Sequence, residues 1–582
     1  MNERATGLAV TGAEALLRVL RAMGVERIFA SPGSDWAPLW EALAKPYQPG
    51  EVPEYISSRH EETAVGMASG YAKATGKLPA LVLHTTVGAL HATMGLRAAL
   101  HERIPMVVLA GESVSFAEPP APPAGRQWLR VLTDMGGPAR LVQDTVKWSL
   151  GLNAANILPH TIQRACQLAM SAPKGPVFVS VPTEMLMESM AAEPPPVAAL
   201  PAAPVANEEA IAEVAAALTS AKRPVIITEE LGRNLGAVDE LVRLAEALGA
   251  PVLDGWHGDY VNFPRQHPLY AGVAVEPVHD LVKAADFILL AEAVAGWHPP
   301  SALRATKVAA IGEDPLHSHL PFWGFRADYL LPGDPELTLR QLANAVTDPE
   351  ETLEQAADRA KSRSQLWLSK HDWPHRRAEL RAKARASADG ATITAAWAAH
   401  ELNEALPAEA IVVNETISHR GDLCRLLDKL RPGAFFEASY GGLGMGLGTA
   451  LGVKNAHHDR PVVLTIGDGS FYYNPVVAAF GACQEHKLPL LIVLFDNQGY
   501  FSQKNDVVRE YPQGWAVRSN QFIGTSITPM PDYGMLARAF GGYGEKVERP
   551  RDVRAALTRG LEALGKGQLA LIHMVLEPVN RP

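Results

Sequence analysis

Two short motifs in the last third of the chain place oxygen-bearing side chains next to glycines. The first follows a predicted strand that ends at Ile466, and it reads Gly467-Asp468-Gly469-Ser470. The second follows the predicted strand Leu490–Phe495 and reads Asp496-Asn497-Gln498-Gly499-Tyr500, with 27 residues between Gly469 and Asn497. Because the carboxyl ends of parallel strands share one edge of a sheet, we expect both motifs at a ligand-binding edge.

The polar groups of these motifs suit a hard divalent cation. Asp468 supplies a carboxylate oxygen, Asn497 an amide oxygen and Gly499 a backbone carbonyl. Mg²⁺ prefers about six oxygens and commonly shares them between protein and phosphate groups, and glycines let a ligand approach the backbone closely. Together the motifs predict a metal and diphosphate site, whereas either motif alone also fits an ordinary turn.

The elements that carry these motifs belong to an alternating pattern. Short runs rich in Val, Ile and Leu alternate with helical periodicity along the whole chain, as in Ala80–Leu83, Pro105–Ala110, Val177–Val181, Val225–Thr228, Phe287–Ala291, Val308–Ile311, Ile411–Val413, Val462–Ile466, Leu490–Phe495 and Leu569–Val575. Continuous apolar strands separated by helices are typical of parallel sheets covered on both faces. The sequence therefore predicts an α/β protein with several doubly wound parallel sheets.

Two stretches interrupt this pattern and divide the chain. Ala191–Ala206 is rich in proline, which removes backbone donors and favours an extended chain, so we interpret it as a linker. Glu351–Ser387 is a charged helical stretch between two α/β patterns. The predicted domains are residues 1–190, 205–350 and 390–582.

The composition excludes several classes of protein. The chain has 582 residues, of which 47% are hydrophobic and 20% charged, and its formal net charge is −10. It is too apolar to be disordered, and its excess acid argues against binding to nucleic acid or to an anionic membrane. The apolar runs are far shorter than the roughly 20 residues that a transmembrane helix needs.

The cysteines and the start of the sequence bear on location. Cys166, Cys424 and Cys483 lie far apart and form no CxxC pair, which argues against a disulfide framework or a zinc site. The first residues lack the charged, apolar and cleavage regions of a signal peptide. We therefore expect a reducing, cytoplasmic location.

At the two glycine motifs the sequence resembles the thiamine diphosphate-dependent enzymes of the pyruvate decarboxylase and acetolactate synthase superfamily. Their coenzyme signature is GDG followed at this spacing by Asn. The segment Arg59–Ala72, RHEETAVGMASGYA, resembles the family's glutamate and the helix that ends in GYA. The resemblance covers essentially the whole chain. It implies a pyrimidine-binding domain, a central Rossmann-like domain and a diphosphate-binding domain, in that order.

Within the superfamily the sequence is most similar to benzoylformate decarboxylase. The matching segments are Ser31–Ser34, Leu83–Thr86, Val146–Ser149, Trp297–Pro299, Val413–Thr416 and Gly441–Gly446. The similarity implies a lyase that decarboxylates a 2-oxo acid without oxidation, with thiamine diphosphate and Mg²⁺ as cofactors. Carboligation of aldehydes is a further outcome of the same chemistry.

The resemblance gives Glu61 the central catalytic role. It implies that Glu61 hydrogen-bonds the coenzyme pyrimidine and favours the tautomer that takes the proton from the reactive carbon. That arrangement substitutes proximity for a strong external base. Taken alone, an acid at this position is more often a residue that caps a helix.

Further coenzyme contacts follow from the same resemblance. Leu443 would wedge between the two coenzyme rings, although taken alone it is better explained as a core leucine. Asn414, Glu415 and Thr416 follow a predicted strand and would hydrogen-bond the coenzyme. The remaining predicted contacts are Gly441, Gly467, Asp468, Gly469, Ser470, Asn497, Gly499 and Tyr500.

His84 and His298 match the two active-site histidines of benzoylformate decarboxylase. Imidazole titrates near neutral pH and can donate and accept protons, so these residues could protonate the product carbon and release an aldehyde. Acetolactate synthases usually have glutamine at the position of His84. Ser34 would hydrogen-bond a substrate carboxylate, but after Pro32 and Gly33 it also suits a turn.

Three features depart from the benzoylformate decarboxylase pattern, and one of them is the proline-rich loop Ser115–Trp128. Glu437 stands where those enzymes have an aromatic residue of the phenyl pocket, and a carboxylate is a poor partner for a bare phenyl ring. It either faces away or recognises a more polar substrate. Residues 500–532 are long and polar, and they form either a lid over the site or a surface insertion.

Alternatives to the decarboxylase remain open at this point. They are an acetolactate synthase-like carboligase, a 2-hydroxyacyl lyase and, from another class, a non-catalytic scaffold that binds the coenzyme. In this family the domains that carry Glu61 and Asp468 meet between two chains. The resemblance therefore implies a homodimer at minimum, commonly paired into a tetramer, acting on a small 2-oxo acid or aldehyde.

Overall fold

The computed structural model describes residues 9–112, 136–191, 196–255, 258–273, 279–303, 305–346, 352–369, 371–438 and 442–578. The chain forms two compact units. The first unit comprises Met1–Ala202, Ser439–Asp459 and Tyr472–Pro489. The second unit comprises Ala203–Ala438, Arg460–Phe471 and Leu490–Pro582.

The first unit is built on a six-stranded parallel sheet. Its strands, in spatial order, are Glu54–Ser57, Arg27–Ser31, Ala80–Leu83, Met106–Glu112, Pro176–Pro182 and Trp148–Gly151. A separate antiparallel pair joins Ala9–Thr11 to Ser189–Ala191. The helices are Gly12–Ala22, Ala37–Leu43, Glu61–Thr75, Thr86–His101, Gly137–Leu141, Leu158–Met170, Thr183–Met187, Gly446–Ala456 and Val476–Glu485.

The second unit contains two further six-stranded parallel sheets. The central sheet has the order Tyr270–Val273, Val252–Asp254, Pro224–Thr228, Phe287–Ala291, Lys307–Gly312 and Tyr329–Pro332. The C-terminal sheet has the order Phe435–Glu437, Ile411–Glu415, Val462–Gly467, Leu491–Asp496, Ala570–Val575 and Tyr543–Val547. In each of the three sheets, the chain first adds strands toward one edge and then toward the other, as in doubly wound folds.

The helices of the second unit flank these sheets. They are Glu208–Ser220, Leu235–Leu248, Asp280–Ala284, Pro335–Ala345, Leu353–Leu368, Trp373–Ala386, Ala395–Ala405, Arg420–Leu426, Phe501–Glu510, Trp515–Ser519, Tyr533–Ala539 and Val553–Gly565. A short helix, Asp468–Tyr473, begins at the first glycine motif.

Local sequence explains why these elements form where they do. Thr11 begins the first helix with a capping box, because its hydroxyl accepts from the Glu14 N–H while the Glu14 carboxylate accepts from the Thr11 N–H. The strand Ala80–Leu83 is buried at every position, as expected for a strand covered on both faces. The structure confirms the predicted α/β class with three parallel sheets.

The two compact units divide the chain differently from the predicted domains. Residues 439–459 and 472–489 lie in the predicted third domain but belong to the first unit, and the second unit holds two sheets. The boundaries 1–190, 205–350 and 390–582 therefore stay a prediction. None of the described helices is long and apolar enough to cross a membrane.

Within the first unit, two helices cross in very close contact. They are Glu61–Thr75 and Gly446–Ala456, and glycines stand where their backbones meet. A Cβ on Gly70 would lie 2.1 Å from the Thr449 carbonyl oxygen, and a Cβ on Gly452 would lie 2.0 Å from the Met67 carbonyl oxygen. This crossing holds the start of the Glu61–Thr75 helix in a fixed position relative to the segment that follows Leu443.

Candidate active site

The two glycine motifs meet at one edge of the C-terminal sheet. The strands Val462–Gly467 and Leu491–Asp496 pair in parallel with Gly467 opposite Phe495, so the residues that follow them emerge side by side. The Gly499 N–H donates to Oδ2 of Asp468 at 3.1 Å and to Oδ1 of Asn497 at 3.2 Å. The structure thus brings together the two side-chain oxygens that the sequence predicts as metal ligands.

The electrostatics of this edge favour a cation. Asp468 is 3% exposed, and its burial, with the nearby Asp496 carboxylate, raises the pKa of Asp468 to about 7. Asp496 accepts from the Gln498 N–H at 2.9 Å and contacts Nε2 of His573 at 2.7 Å. A hard divalent cation would offset the repulsion between the two carboxylates, so the donor set fits Mg²⁺.

His419 orients the amide of Asn497. Nδ2 of Asn497 lies 3.2 Å from Nε2 of His419, and burial lowers the pKa of this histidine, which keeps it neutral and able to accept. With Nδ2 donating to His419, the Asn497 amide presents Oδ1 as its remaining polar atom. The sequence contains no pattern that singles out His419, because its contact with Asn497 joins two different strand ends.

A cavity of about 290 Å³ opens beside these residues in the second unit. It is lined by Asn497, Gly499, Tyr500, Lys504, Phe522 and Ser526, among others. The Lys504 ammonium lies 4.6 Å from the centre of the Phe522 ring. The Tyr500 ring covers Gly469, where a Cβ would lie 2.7 Å from it. Segment 500–532 thus forms part of the candidate site, and its action as a lid stays a prediction.

The predicted coenzyme contacts at the strand Ile411–Glu415 are deeply buried. Asn414 and Glu415 have no exposed surface, and Thr416 is 1% exposed. The Asn414 amide donates to Glu437 at 2.9 Å and accepts from the hydroxyls of Thr416 and Thr465, at 2.7 and 2.8 Å. Asn414 thus orders neighbouring strand ends, and contacts of this trio with a coenzyme stay a prediction.

In the first unit, Glu61 is the first residue of its helix. The helix is capped by His60, whose Nδ1 accepts from the Glu62 N–H at 3.2 Å, so Glu61 does not serve as the cap. The Glu61 side chain is 14% exposed, and its Oε2 lies 3.3 Å from Nδ1 of His91. The His91 ring stacks on the His60 ring with centroids 5.6 Å apart. The two histidines were not indicated by the sequence.

Leu443 lies in a turn held by glycines on both sides. Gly442 and Gly444 have φ values of +145° and +114°, which side chains with a Cβ rarely adopt. A Cβ on Gly444 would lie 2.9 Å from Oε1 of Glu62. Burial raises the pKa of Glu62 to about 7. Leu443 is half-buried in the first unit, and Gly441 lies outside the described residues.

His84 follows the strand Ala80–Leu83 and bonds through Nδ1 to the carboxylate of Asp35. This hydrogen bond is the main cause that raises the pKa of His84, while partial burial opposes it. A Cβ on Gly88 would lie 3.0 Å from Cβ of His84 and 3.4 Å from Oε1 of Glu61. The structure therefore places His84 and Glu61 around one glycine. Asp35 was missed by sequence reasoning.

The other two predicted catalytic residues lie at exposed positions. Ser34 is exposed in the first unit, one residue before Asp35. His298 is exposed in the second unit, after the strand Phe287–Ala291. Their roles toward a substrate stay predictions.

Comparison with known protein families finds three matching models. Residues 10–119 match "Thiamine pyrophosphate enzyme, N-terminal TPP binding domain". Residues 211–342 match the central domain of the same enzymes, and residues 418–574 match their C-terminal TPP binding domain. The three matched ranges together include more than half of the chain.

Similar proteins include two kinds of enzyme. The chain is 28% identical to acetolactate synthase isozyme 2 large subunit from Escherichia coli, over 98% of this chain and 96% of that protein. It is 27% identical to benzoylformate decarboxylase from Pseudomonas aeruginosa, over 83% and 85%. A solved structure, the 4-hydroxybenzoylformate decarboxylase of Rhodococcus jostii, aligns with TM-score 0.78 and 26% identity, over 98% of this chain and all of that one.

Proposed function

The chain belongs to the thiamine pyrophosphate enzyme family, and we propose that it is a Mg²⁺-dependent lyase that decarboxylates a 2-oxo acid and releases an aldehyde. The observation that carries this proposal is the placement of His84 and Glu61 around Gly88. A decarboxylase needs a group that returns a proton to the carbon from which carbon dioxide has left, and an imidazole can do this. A glutamine, usual at this position in acetolactate synthases, cannot.

The coenzyme would be held by residues of the second unit of one chain together with Glu61 of another chain. Asp468, Asn497 and Gly499 would bind its diphosphate through Mg²⁺, and Glu61 would hydrogen-bond its pyrimidine ring. When bound, thiamine diphosphate supplies a carbon nucleophile and an electron sink for the departing carboxylate. Leu443, held in its glycine turn, would pack against the coenzyme rings.

The chain's own residues divide the remaining work. Ser34 would bind the substrate carboxylate, and His84 would deliver a proton to the product carbon. His298 would assist at the same stage. The carboxylate of Glu61 is largely enclosed, with 14% of its side chain exposed, and it would hydrogen-bond a ring nitrogen of the coenzyme.

The decisive experiment assays the purified enzyme, loaded with thiamine diphosphate and Mg²⁺, on pyruvate, benzoylformate and a wider panel of 2-oxo acids. Release of carbon dioxide with the matching aldehyde supports the proposal. Glu61→Gln should abolish turnover and slow proton exchange at the reactive coenzyme carbon, while Glu41→Gln, an exposed glutamate of the same unit, should change neither. Coenzyme binding without turnover of any oxo acid would point to a scaffold.

A second candidate is an acetolactate synthase-like carboligase, since the similarity to the Escherichia coli enzyme extends over 98% of this chain. Acetolactate formed from pyruvate, in place of acetaldehyde, would favour it over the decarboxylase. A 2-hydroxyacyl lyase would instead cleave a 2-hydroxyacyl substrate in the same panel.

We further propose a cytoplasmic homodimer, paired into a tetramer, with Glu61 of one chain and Asp468 of another at each site. Glu61→Gln and Asp468→Asn would each be inactive alone. Co-expressed with different tags, they should form mixed dimers that contain one intact site and regain part of the activity. Sites built within single chains would regain none, and light scattering would give the size of the assembly.

A further inference from the structure

Asp35 is a buried carboxylate that forms an ion pair with His84 in the part of the chain that the structure describes. Its side chain has no exposed surface, whereas 21% of the His84 side chain is exposed. Oδ1 of Asp35 bonds Nδ1 of His84, and its Oδ2 is buried with no hydrogen-bond donor among the described residues. An ionised carboxylate out of water requires a compensating charge, and His84 is the titratable side chain bonded to this one.

Close backbone contacts fix the geometry of this pair. A Cβ on Gly33 would lie 2.0 Å from Nδ1 of His84, and a Cβ on Gly111 would lie 1.6 Å from Oδ2 of Asp35. Both side chains therefore rest directly on glycine backbone. The Thr183 hydroxyl donates to the Asp35 carbonyl oxygen at 3.1 Å, which further fixes the turn that carries the carboxylate. His84 is held with Nδ1 inward and its other nitrogen, Nε2, available.

We infer that Asp35 is a positioning residue that keeps His84 protonated, so that His84 delivers a proton to the product and does not act as a base. In this arrangement Nδ1 of His84 donates to the Asp35 carboxylate, and Nε2 carries the proton that is transferred. The inference rests on the proposed decarboxylation and deepens it. Asp35 acts through His84 and need not touch the substrate.

The proton balance agrees with this assignment. When a 2-oxo acid loses carbon dioxide, the carbon that held the carboxylate must gain one proton before the aldehyde forms. A C–H bond forms at that carbon, the Nε2–H bond of His84 breaks, and its electron pair stays on Nε2. The neutral ring still donates from Nδ1 to ionised Asp35. Water then restores the proton, so one proton enters for each carbon dioxide that leaves.

The charged groups that act on His84 in the described part of the chain are Asp35, from the turn after Arg27–Ser31, and Glu61, from the start of its helix. The hydrogen bond from Asp35 is the largest influence and raises the pKa of His84; partial burial lowers it, and both carboxylate charges raise it. The protonated fraction, and with it turnover, should therefore fall as pH rises through this pKa. Asp35→Asn removes one negative charge and should move that fall to lower pH.

The first test uses the apo-protein, so its result does not depend on any reaction. Imidazole ¹⁵N NMR, with His84 assigned by the loss of its signals in His84→Gln, should show a proton on Nδ1 and a pKa above the ordinary value. In Asp35→Asn that pKa should drop by about one unit or more. A wild-type His84 that is neutral, with its proton on Nε2 and an ordinary pKa, would overturn the inference. This measurement on the wild type does not depend on whether the Asp35→Asn variant folds.

The second test uses the loaded enzyme. Asp35→Asn should lower kcat by roughly 10-fold or more with little change in KM, and it should move the alkaline limb of the pH profile to lower pH. Asp144→Asn, an exposed aspartate of the same unit, should leave the limb in place. If Asp35→Asn folds normally and the alkaline limb of its pH profile stays where it is in the wild type, the inference is contradicted. If the wild type decarboxylates no 2-oxo acid, the proposed function fails while the NMR result still decides the state of His84.

Discussion

Nε of Arg420 donates to Oε2 of Glu437 at 2.9 Å, and the Glu437 side chain is 2% exposed. Glu437 stands where benzoylformate decarboxylases, which the sequence resembles, carry an aromatic residue. Glu437 ends the strand Phe435–Glu437, and Arg420, the first residue of the helix Arg420–Leu426, compensates its charge. The Glu437 carboxylate also accepts from the Asn414 amide. The unusual glutamate thus has an internal partner at the strand end where the coenzyme is expected.

Removing one member of this pair should destabilise the protein strongly. Arg420→Met leaves the buried Glu437 charge unpaired, which should cost about 3–5 kcal/mol of unfolding free energy. Thermal unfolding should show a clear drop in Tm. The double variant Arg420→Met/Glu437→Leu should regain part of the loss, because the Glu437 charge is gone while the buried Asp259, 3.6 Å from Arg420, still lacks this partner.

The matched control is the exposed pair of Lys546 and Glu548, whose side chains are 41% and 63% exposed. Lys546→Met should cost less than about 1 kcal/mol. Equal Tm values for Arg420→Met and Lys546→Met would show that the buried pair contributes no more to stability than the exposed pair.

The crossing of the helices Glu61–Thr75 and Gly446–Ala456 should tolerate no added methyl group at its centre. Gly452→Ala would place Cβ 2.0 Å from the Met67 carbonyl oxygen, so the helices must separate. We expect a loss of about 1–3 kcal/mol of unfolding free energy, with weaker coenzyme binding if the turn that carries Leu443 moves with the helix Gly446–Ala456.

Gly565→Ala provides the comparison for this crossing. Gly565 ends the helix Val553–Gly565 and has no neighbouring atom within 4 Å of a Cβ, so alanine there should be neutral or slightly stabilising. Denaturation of both variants, together with calorimetric titration of thiamine diphosphate, tests the prediction. A Gly452→Ala protein as stable as Gly565→Ala would show that the helices can separate freely.

Glu62 should make stability depend on pH. Burial raises the pKa of Glu62 from 4.5 to about 7. Between these two pH values, the folded chain therefore holds a proton on Glu62 that the unfolded chain has lost. Its stabilising contribution is complete below about pH 4.5 and is lost as pH rises through about 7. Glu62→Gln carries no such proton, so its Tm relative to wild type should rise between about pH 5 and pH 8. Glu41→Gln should show no such trend.

His419 should tune cation affinity through Asn497. His419→Ala removes the acceptor for the Asn497 amide, and loss of such an outer partner typically lowers metal affinity by roughly 10- to 100-fold. Mn²⁺ binding in the presence of thiamine diphosphate, followed by electron paramagnetic resonance, measures this directly. His458→Ala, an exposed histidine, is the control. Unchanged Mn²⁺ affinity in His419→Ala would exclude this role.

The sequence by itself was sufficient for the fold class and for the approach of the two glycine motifs. Apolar strand periodicity is a local signal, and it predicts parallel sheets wherever such strands alternate with helices. Asp468 and Asn497 follow neighbouring parallel strands, so their proximity follows from the register that pairs Gly467 with Phe495. Sequence patterns could not decide whether Glu61 caps its helix. In the structure, the N-cap residue of that helix is His60.

Tertiary structure alone decided the partners of the buried charges and the grouping of the helices. Asp35 and His84 are 49 residues apart, and no periodicity connects a turn residue with the end of another strand. Arg420 and Glu437 are 17 residues apart, and no local pattern in the sequence pairs them. The close approach of Gly452 to Met67 depends on how two helices cross. Such contacts join distant parts of the chain, so they are fixed by packing and not by local propensity.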